Sequence, residues 1–231
     1  MSKPVLPVGP AVDPTPAAHP GPVTITGRFG AVVRLNAAGT AAPLWREIGK
    51  RDELWTYISG HGPFADERIF SAWLEERETQ SDPYYYTVHG PDGRALGLIA
   101  LMHIRAAMRV VEIGSIVYGA ALQRTPLGTE TQYLLARYAF ETLGYRRYEW
   151  KCDSLNTPSR CAALRYGFAF EGIFRQHMIA KGRSRDTAYF SMLDGEWPDR
   201  KRNFEAWLQD DNFDRNGRQK RSLAAMNGAA A

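Results

Sequence analysis

The sequence predicts a mixed α/β (α+β) fold, a mostly antiparallel twisted sheet flanked by helices. The spacing of apolar residues switches repeatedly between strand-like alternation and helical repeats. A turn signal at Gly90-Pro-Asp-Gly93 joins two strand patterns into a hairpin, so the early part of the sheet is antiparallel. Later strands are separated by helical patterns, which predicts crossovers. With 231 residues, 44% hydrophobic and 23% charged, the chain can bury a sizeable core, and its bulk is not disordered. That length suits one large domain with terminal extensions better than two full domains.

Seven of the 14 prolines fall within Met1 to Pro22, where they remove backbone donors and block helix, so residues 1–22 read as an extended, largely uncommitted arm. The folded domain then spans residues 23–208. Val23-Thr-Ile-Thr and Val32-Val33-Arg-Leu35 are rich in β-branched residues and suit an opening strand or hairpin. Thr40 to Ile58 places Leu44, Trp45, Ile48, Leu54, Trp55 and Ile58 at helical spacing, broken near Gly49. Asp66 to Arg77 sets Ile69, Phe70, Trp73 and Leu74 on one helical face. Tyr84 to Val88 and Ala95 to Met102 are the hairpin strands, and Val110 to Tyr118 is the next strand.

After the loop Gln123-Arg-Thr-Pro-Leu-Gly128, Thr129 to Leu143 carries Tyr133, Leu134, Tyr138 and Phe140 in a helical pattern closed by Gly144. Arg147 to Cys152 alternates as a strand, and Pro158 to Tyr166 forms a short helix entered through Asn or Ser. Phe170 to Ala180 and Thr187 to Leu193 are strands connected through Lys181 to Asp186, and Trp197-Pro198 opens a last helix with Phe204, Trp207 and Leu208 inward. Residues 209–231 are basic, then small and apolar, and read as a frayed tail. Trp45, Trp55, Trp73 and Trp150 sit at core spacing.

A net charge of +4 favours anionic partners, phosphorylated cofactors and nucleic acid alike. Cys152 and Cys161 are too few for a disulfide framework, and no C-x-x-C pair is present, which favours a reducing cytoplasm. The start of the chain has no apolar signal segment, and no stretch has the length of a membrane span. The five histidines, His19, His61, His89, His103 and His177, show no ligand spacing, so no metal is expected.

The run from Glu149 to Gly172 contains Asn156-x-x-Ser159-x-x-Ala162, then Gly167-Phe168 and Glu171-Gly172, and it follows a strand–loop–helix unit. Here the sequence resembles the GNAT acyl-CoA-dependent N-acetyltransferases, and within them the ribosomal-protein N-terminal acetyltransferase branch, over roughly Val23 to Trp207. The resemblance implies a sheet whose fourth and fifth strands splay apart to hold the pantetheine arm of acetyl-CoA, with the pyrophosphate at the following helix N-terminus. A helix start offers unpaired N–H groups and a positive dipole end to such an anion.

On that basis Gln123, Arg124, Thr125, Leu127, Gly128, Thr129 and Glu130 are the expected phosphate cradle. The family's loop motif has a glycine where this chain has Pro126, which has no N–H to donate. Backbone N–H groups from Ser115 through Ile116, Val117 and Tyr118 would face the thioester carbonyl if a bulge at Gly114 frees them.

Glu112 is the candidate general base, directly or through a water; an outward-facing strand glutamate is the alternative. Asn156 resembles the family's pantetheine or phosphate contact, and Ser159 the branch's serine that protonates the CoA sulfur. Both residues also suit a helix cap. Many family members carry an acidic tyrosine where this chain has Ala163; Tyr166 lies ~60° further round the helix and reads as packing, with a secondary claim to the acid role. The expected activity is acetyl transfer from acetyl-CoA to a primary amine, a protein N-terminus or a small molecule, in a ternary complex. Neither cysteine has an evident activating histidine, so no acyl-enzyme is expected. A non-catalytic acyl-CoA-binding or nucleic-acid-associated module is the alternative; no nucleic-acid-binding pattern is visible, and a homodimer remains open. The acceptor would be selected by Gly60 to Ala65 and by the hairpin near Lys181.

Overall fold

The computed structural model describes residues 6–228; the first five residues of the arm and the last three of the tail lie outside the described residues. Strands β1 (Thr24–Thr26), β2 (Ala31–Arg34), β3 (Tyr84–His89), β4 (Ala95–Arg105), β5 (Val110–Tyr118), β6 (Arg147–Asp153), β7 (Ala169–Ala180) and β8 (Arg183–Leu193) form one sheet in the order β1-β2-β3-β4-β5-β6-β8-β7. Every pairing is antiparallel except β5 with β6. A parallel pair needs a crossover, and α3 (Pro126–Arg137), continued by a π-helical turn (Tyr138–Thr142), supplies it. The β3–β4 hairpin closes at Gly93, whose φ of +77° few side chains tolerate and whose N–H reaches the Gly90 carbonyl at 3.0 Å.

Helices cover both faces. On one side α1 (Ala37–Leu44) and α2 (Glu67–Glu78) bury Leu44, Phe70 and Leu74 against Tyr85, Leu98 and Val117. The start of α2 is set by Asp66, whose carboxylate accepts from the Ile69 N–H at 2.8 Å. On the other side α3, α4 (Thr157–Arg165), α5 (Trp197–Trp207) and α6 (Leu223–Met226) pack Leu134, Ala163, Phe204 and Leu223 against Tyr148, Trp150 and Phe190.

The sheet parts in the middle. β5 and β6 pair only from Val110–Arg147 to Ile113–Trp150; beyond these rungs the two strands are unpaired and separate. Just there β5 carries a bulge: Ala100 faces Gly114 and Leu98 faces Val117, so one extra residue is inserted, and Ser115 takes φ +48°.

Several expectations are corrected. The helical stretch expected over Thr40 to Ile58 does break at Gly49, but it starts earlier, at Ala37, runs with Pro43 inside it from α1 straight into a π-helical turn (Trp45–Gly49), and resumes only as a 3₁₀ turn (Asp52–Trp55). α3 starts three residues before the expected Thr129, with proline at the first helical position, where its missing N–H is no loss. The connection expected over Lys181 to Asp186 shrinks to Lys181-Gly182 as β8 begins at Arg183.

The arm is not uncommitted along its length. Ala17 is buried, its N–H donates to the Ala106 carbonyl at 3.0 Å and that of Ala18 to Leu143 at 2.8 Å, while Gly21 donates to the Tyr138 hydroxyl. Nor is the tail frayed over its described part. Leu223 is fully buried, Asn212 binds the carbonyls of Trp207 and Arg221, and the Asn227 amide donates to the Arg165 carbonyl at 3.0 Å.

Candidate active site

The cleft between the parted strands has a volume of about 370 Å³ and contains Glu112 and Ser159 together, with Gly114, Ile116, Trp150 and Asn156 in its walls. The Asn156 side chain caps α4 by accepting from the Ser159 N–H at 3.2 Å, so the cap expected of this pair belongs to Asn156. Its amide nitrogen has no partner among the described residues.

The Ser159 hydroxyl does something else: it accepts from the Trp150 indole N–H at 3.0 Å. A hydroxyl has one donor and two acceptor sites, so this contact fixes the oxygen and leaves the O–H to donate. Trp150, read from the sequence as core, is therefore also the group that places Ser159. Tyr166 packs against Trp150 and Phe204 at ring distances of 6.0 and 6.1 Å, and burial pushes its hydroxyl pKa up. It is not among the residues that line the cleft. Burial also pushes the Cys152 thiol up, which disfavours a thiolate nucleophile in the cleft.

Glu112 is neither outward-facing nor free. Its carboxylate is nearly buried, and Oε2 accepts from His103 Nδ1 at 2.7 Å and from Lys151 Nζ at 2.8 Å. In the parallel register Glu112 stands beside Glu149, and Lys151 bridges the two acids, reaching Glu149 at 2.9 Å; Arg105 and Arg147 bind the other Glu149 oxygen. Burial works against the charge on Lys151, but the two carboxylates outweigh it and hold the ammonium above its ordinary pKa. Gly114 makes room for this arrangement, since a Cβ there would lie 2.5 Å from Met102 Sδ and 3.3 Å from the Glu112 carboxylate.

The expected phosphate cradle is reshaped by the earlier start of α3. Thr125 is its N-cap, its hydroxyl oxygen accepting from the Gly128 N–H at 3.2 Å, and the Thr129 N–H reaches the Thr125 carbonyl. The backbone N–H groups without a partner among the described residues are those of Arg124, Thr125 and Leu127, with Arg124 at φ +59°. Gly128 is needed as glycine: a Cβ would come within 2.8 Å of the Leu122 carbonyl. The Gln123 side chain donates to the Tyr118 carbonyl at 2.7 Å and braces the loop.

Two cradle residues are corrected. The Thr129 hydroxyl accepts from Arg165, and the buried Glu130 carboxylate accepts from the N–H groups of Arg28 at 2.6 Å and Phe29 at 2.8 Å. Glu130 therefore caps the β1–β2 turn. It cannot also face an anion, which its charge would repel. Val117 turns its side chain into the opposite core, and the Tyr118 hydroxyl accepts from Gln132, so only their backbones remain for the thioester.

The cleft is also lined by Ser59, Gly60 and His61 from the loop after the 3₁₀ turn, with His177 and Met178 from β7. Lys181 Nζ donates to the Trp55 carbonyl at 2.6 Å and ties the β7–β8 hairpin to that loop's base. Both segments expected to select the acceptor thus border the cleft. Sequence reasoning missed His103, Lys151, Trp150 and Arg185 as cleft residues.

An open sheet parted between its two parallel strands, with a helix starting at the end of the first, defines the class of acyltransferase that the Asn156 to Gly172 run resembles. A profile of the acetyltransferase (GNAT) domain matches residues 33–169, and the chain belongs to this family. It is similar to a GCN5-related N-acetyltransferase from Brucella melitensis of known structure, with 42% identity, a TM-score of 0.89, and coverage of 93% of this chain and 98% of that one. A Bacillus subtilis (strain 168) protein named "Putative ribosomal N-acetyltransferase YdaF" is 33% identical over 108 residues, 46% of this chain and 57% of that protein. The match thus spans little more than half the length of that curated relative. The spermidine N-acetyltransferase of Vibrio cholerae, solved with CoA and spermine, shares the fold at a TM-score of 0.60 and 15% identity, covering 72% of this chain and 96% of that one. Among the described residues no helix is long and apolar enough to cross a membrane.

Proposed function

We propose that the protein transfers the acetyl group of acetyl-CoA to a primary amine, on a protein N-terminus or a small molecule, by direct attack in a ternary complex. The observation that carries this is the meeting of Ser159 and Glu112 in the cleft where β5 and β6 part. The residues present fit acetyl-CoA: the free N–H groups of Arg124, Thr125 and Leu127 with the Arg124 charge suit its pyrophosphate, and the parted strands suit its pantetheine arm. The cosubstrate supplies the activated acetyl group.

The steps follow from the groups on the wall. An ammonium has no lone pair, so it must first lose a proton toward the Glu112 side of the cleft. The amine nitrogen then bonds to the thioester carbonyl carbon. Backbone N–H groups released by the bulge at Ser115 favour the resulting oxyanion. The C–S bond breaks and the thiolate takes the Ser159 hydroxyl proton, which the serine recovers as the new amide nitrogen sheds its second hydrogen. One proton is released overall. A buried, raised Cys152 thiol supports direct attack over an acyl-enzyme.

The test is to follow thiol release from acetyl-CoA against α-amines and alkyl amines. Amine-dependent release supports the reading, whereas binding of acetyl-CoA with no amine-dependent release supports a binding module. A soluble, cytoplasmic enzyme suits the absence of disulfides and this cosubstrate.

A further inference from the structure

Resting on that reading, one question is which atom receives the amine's proton. Glu112 is poorly placed to do so: its Oε2 already holds two charge-assisted hydrogen bonds, from His103 and Lys151, and protonating it would break both ion pairs. The side chain is also only 6% exposed. His103 differs in exposure and in having a free atom. It lines the same cleft, its side chain is 58% exposed, and Nε2 has no hydrogen-bond partner among the described residues.

The backbone holds His103 there at some cost. It sits in a second β4–β5 irregularity, between the Met102–Glu112 and Arg105–Val110 pairs, at φ +48°, which a non-glycine residue seldom adopts. Asp82 clamps this geometry, accepting from the His103 N–H at 2.9 Å and the Ile104 N–H at 3.0 Å. Three elements thus converge on one imidazole: the segment before β3, the bulged β4, and Glu112 on β5.

The other two cleft histidines lack this arrangement. His177 has both ring nitrogens engaged, with the Thr187 and Tyr189 hydroxyls, and His61 packs on Trp73 with no carboxylate partner. We propose that His103 is the catalytic base, taking the ammonium proton at Nε2 while Glu112 holds Nδ1–H and positions the ring. The proton moves from the substrate nitrogen to Nε2, leaving a neutral amine and an imidazolium whose Nδ1–H still points at the Glu112 carboxylate. Solvent at the exposed ring edge removes the proton after turnover.

The charges around the ring set its pH range. The hydrogen bond to Glu112 raises the His103 pKa above its ordinary 6.5 against burial, Glu112 and Asp82 add to this by charge, and Lys151 opposes it. Arg105 on its own strand is occupied by Glu149. The neutral, base-competent ring therefore exists only above that raised pKa, and turnover should climb through it.

The decisive comparison is the pH profile of turnover for the full-length protein, saturated with acetyl-CoA and a dipeptide bearing a free α-amine. In Glu112→Gln the imidazole loses the carboxylate that raises it, so the rising limb should move to lower pH with a reduced plateau. A Glu112 that is itself the base predicts the reverse, recovery only as pH rises. His103→Ala should lower turnover about 10²- to 10⁴-fold, bind acetyl-CoA as before, and regain rate as imidazole is added. An alkaline shift in Glu112→Gln, or His103→Ala with normal turnover, would overturn this assignment while leaving acetyl transfer intact. So would a loss in His103→Ala that imidazole does not relieve. A wild-type protein that acetylates no amine would instead overturn the acetyltransferase reading, and this assignment with it.

Discussion

Replacing Glu130 by alanine should cost stability and leave cofactor binding alone. The carboxylate accepts from two backbone N–H groups, Arg28 at 2.6 Å and Phe29 at 2.8 Å, and is itself nearly buried in α3. A hydrogen bond to a charged group contributes about 1.5–3 kcal/mol, so two sum to about 3–6 kcal/mol. The turn is partly open, and water will recover some of this, leaving about 2–4 kcal/mol. The carboxyl group packs directly on the turn, since a Cβ on Gly27 would lie 2.4 Å from it, so its removal vacates the place from which water reaches the two N–H groups. For a domain of this size each kcal/mol lowers Tm by about 2–4 °C, so a loss of roughly 5–15 °C is expected. Scanning calorimetry gives the Tm, and titration calorimetry on the still-folded variant gives acetyl-CoA affinity, which should stay within about twofold. An unchanged Tm with affinity lowered tenfold or more would refute the reasoning and return Glu130 to the phosphate cradle.

Ser159→Ala should lower turnover about 10- to 10⁴-fold with little change in acetyl-CoA affinity, because it removes a proton donor and not a binding contact; steady-state kinetics with calorimetry checks this. Trp150→Phe keeps the ring but removes the indole N–H that fixes Ser159, so it should lower turnover less than Ser159→Ala does, with Tm moved by no more than about 5 °C. Leu223→Ala should destabilise by about 2–5 kcal/mol in denaturant titrations, as expected for a fully buried leucine and not for a frayed tail. The Arg147 guanidinium beside Glu171 holds its carboxyl down at about 2 against an ordinary 4.5. That contribution is complete above pH 4.5 and vanishes as pH falls toward 2, so Glu171→Gln should flatten the acid side of a Tm-against-pH curve.

What the sequence revealed and what it hid divide along a physical line. Apolar, β-branched and aromatic runs located the eight strands, including β1 and β7, which bury no residue fully, and the Asn156 to Gly172 run brought Ser159 to the cleft because its spacing is local. The start of α3 was also written in the chain: Thr125-Pro126 is an N-cap followed by proline at the first helical position, a signal that outweighs the apolar pattern beginning at Thr129. The Glu130 error followed from that three-residue shift, which moves the residue past the helix's free first turn.

His103 was hidden for another reason. It meets Glu112 only because β4 and β5 pair around a short 3₁₀ turn (Ala106–Met108) with an irregularity on the way, and no local rule gives such a register. The tail looked unpackable since Leu223 stands among alanines, yet Asn212 and Asn227 tie its backbone to α5 and α4 through contacts no linear pattern shows.

The most direct test of the account is mass spectrometry of an amine panel, α-amino peptides and alkyl amines, after incubation with labelled acetyl-CoA and wild-type or Ser159→Ala protein. The account predicts label on a primary amine nitrogen, formed about 10- to 10⁴-fold more slowly by the variant. Acetyl-CoA that binds the wild-type protein yet labels no amine, or equal labelling by both proteins, would contradict it.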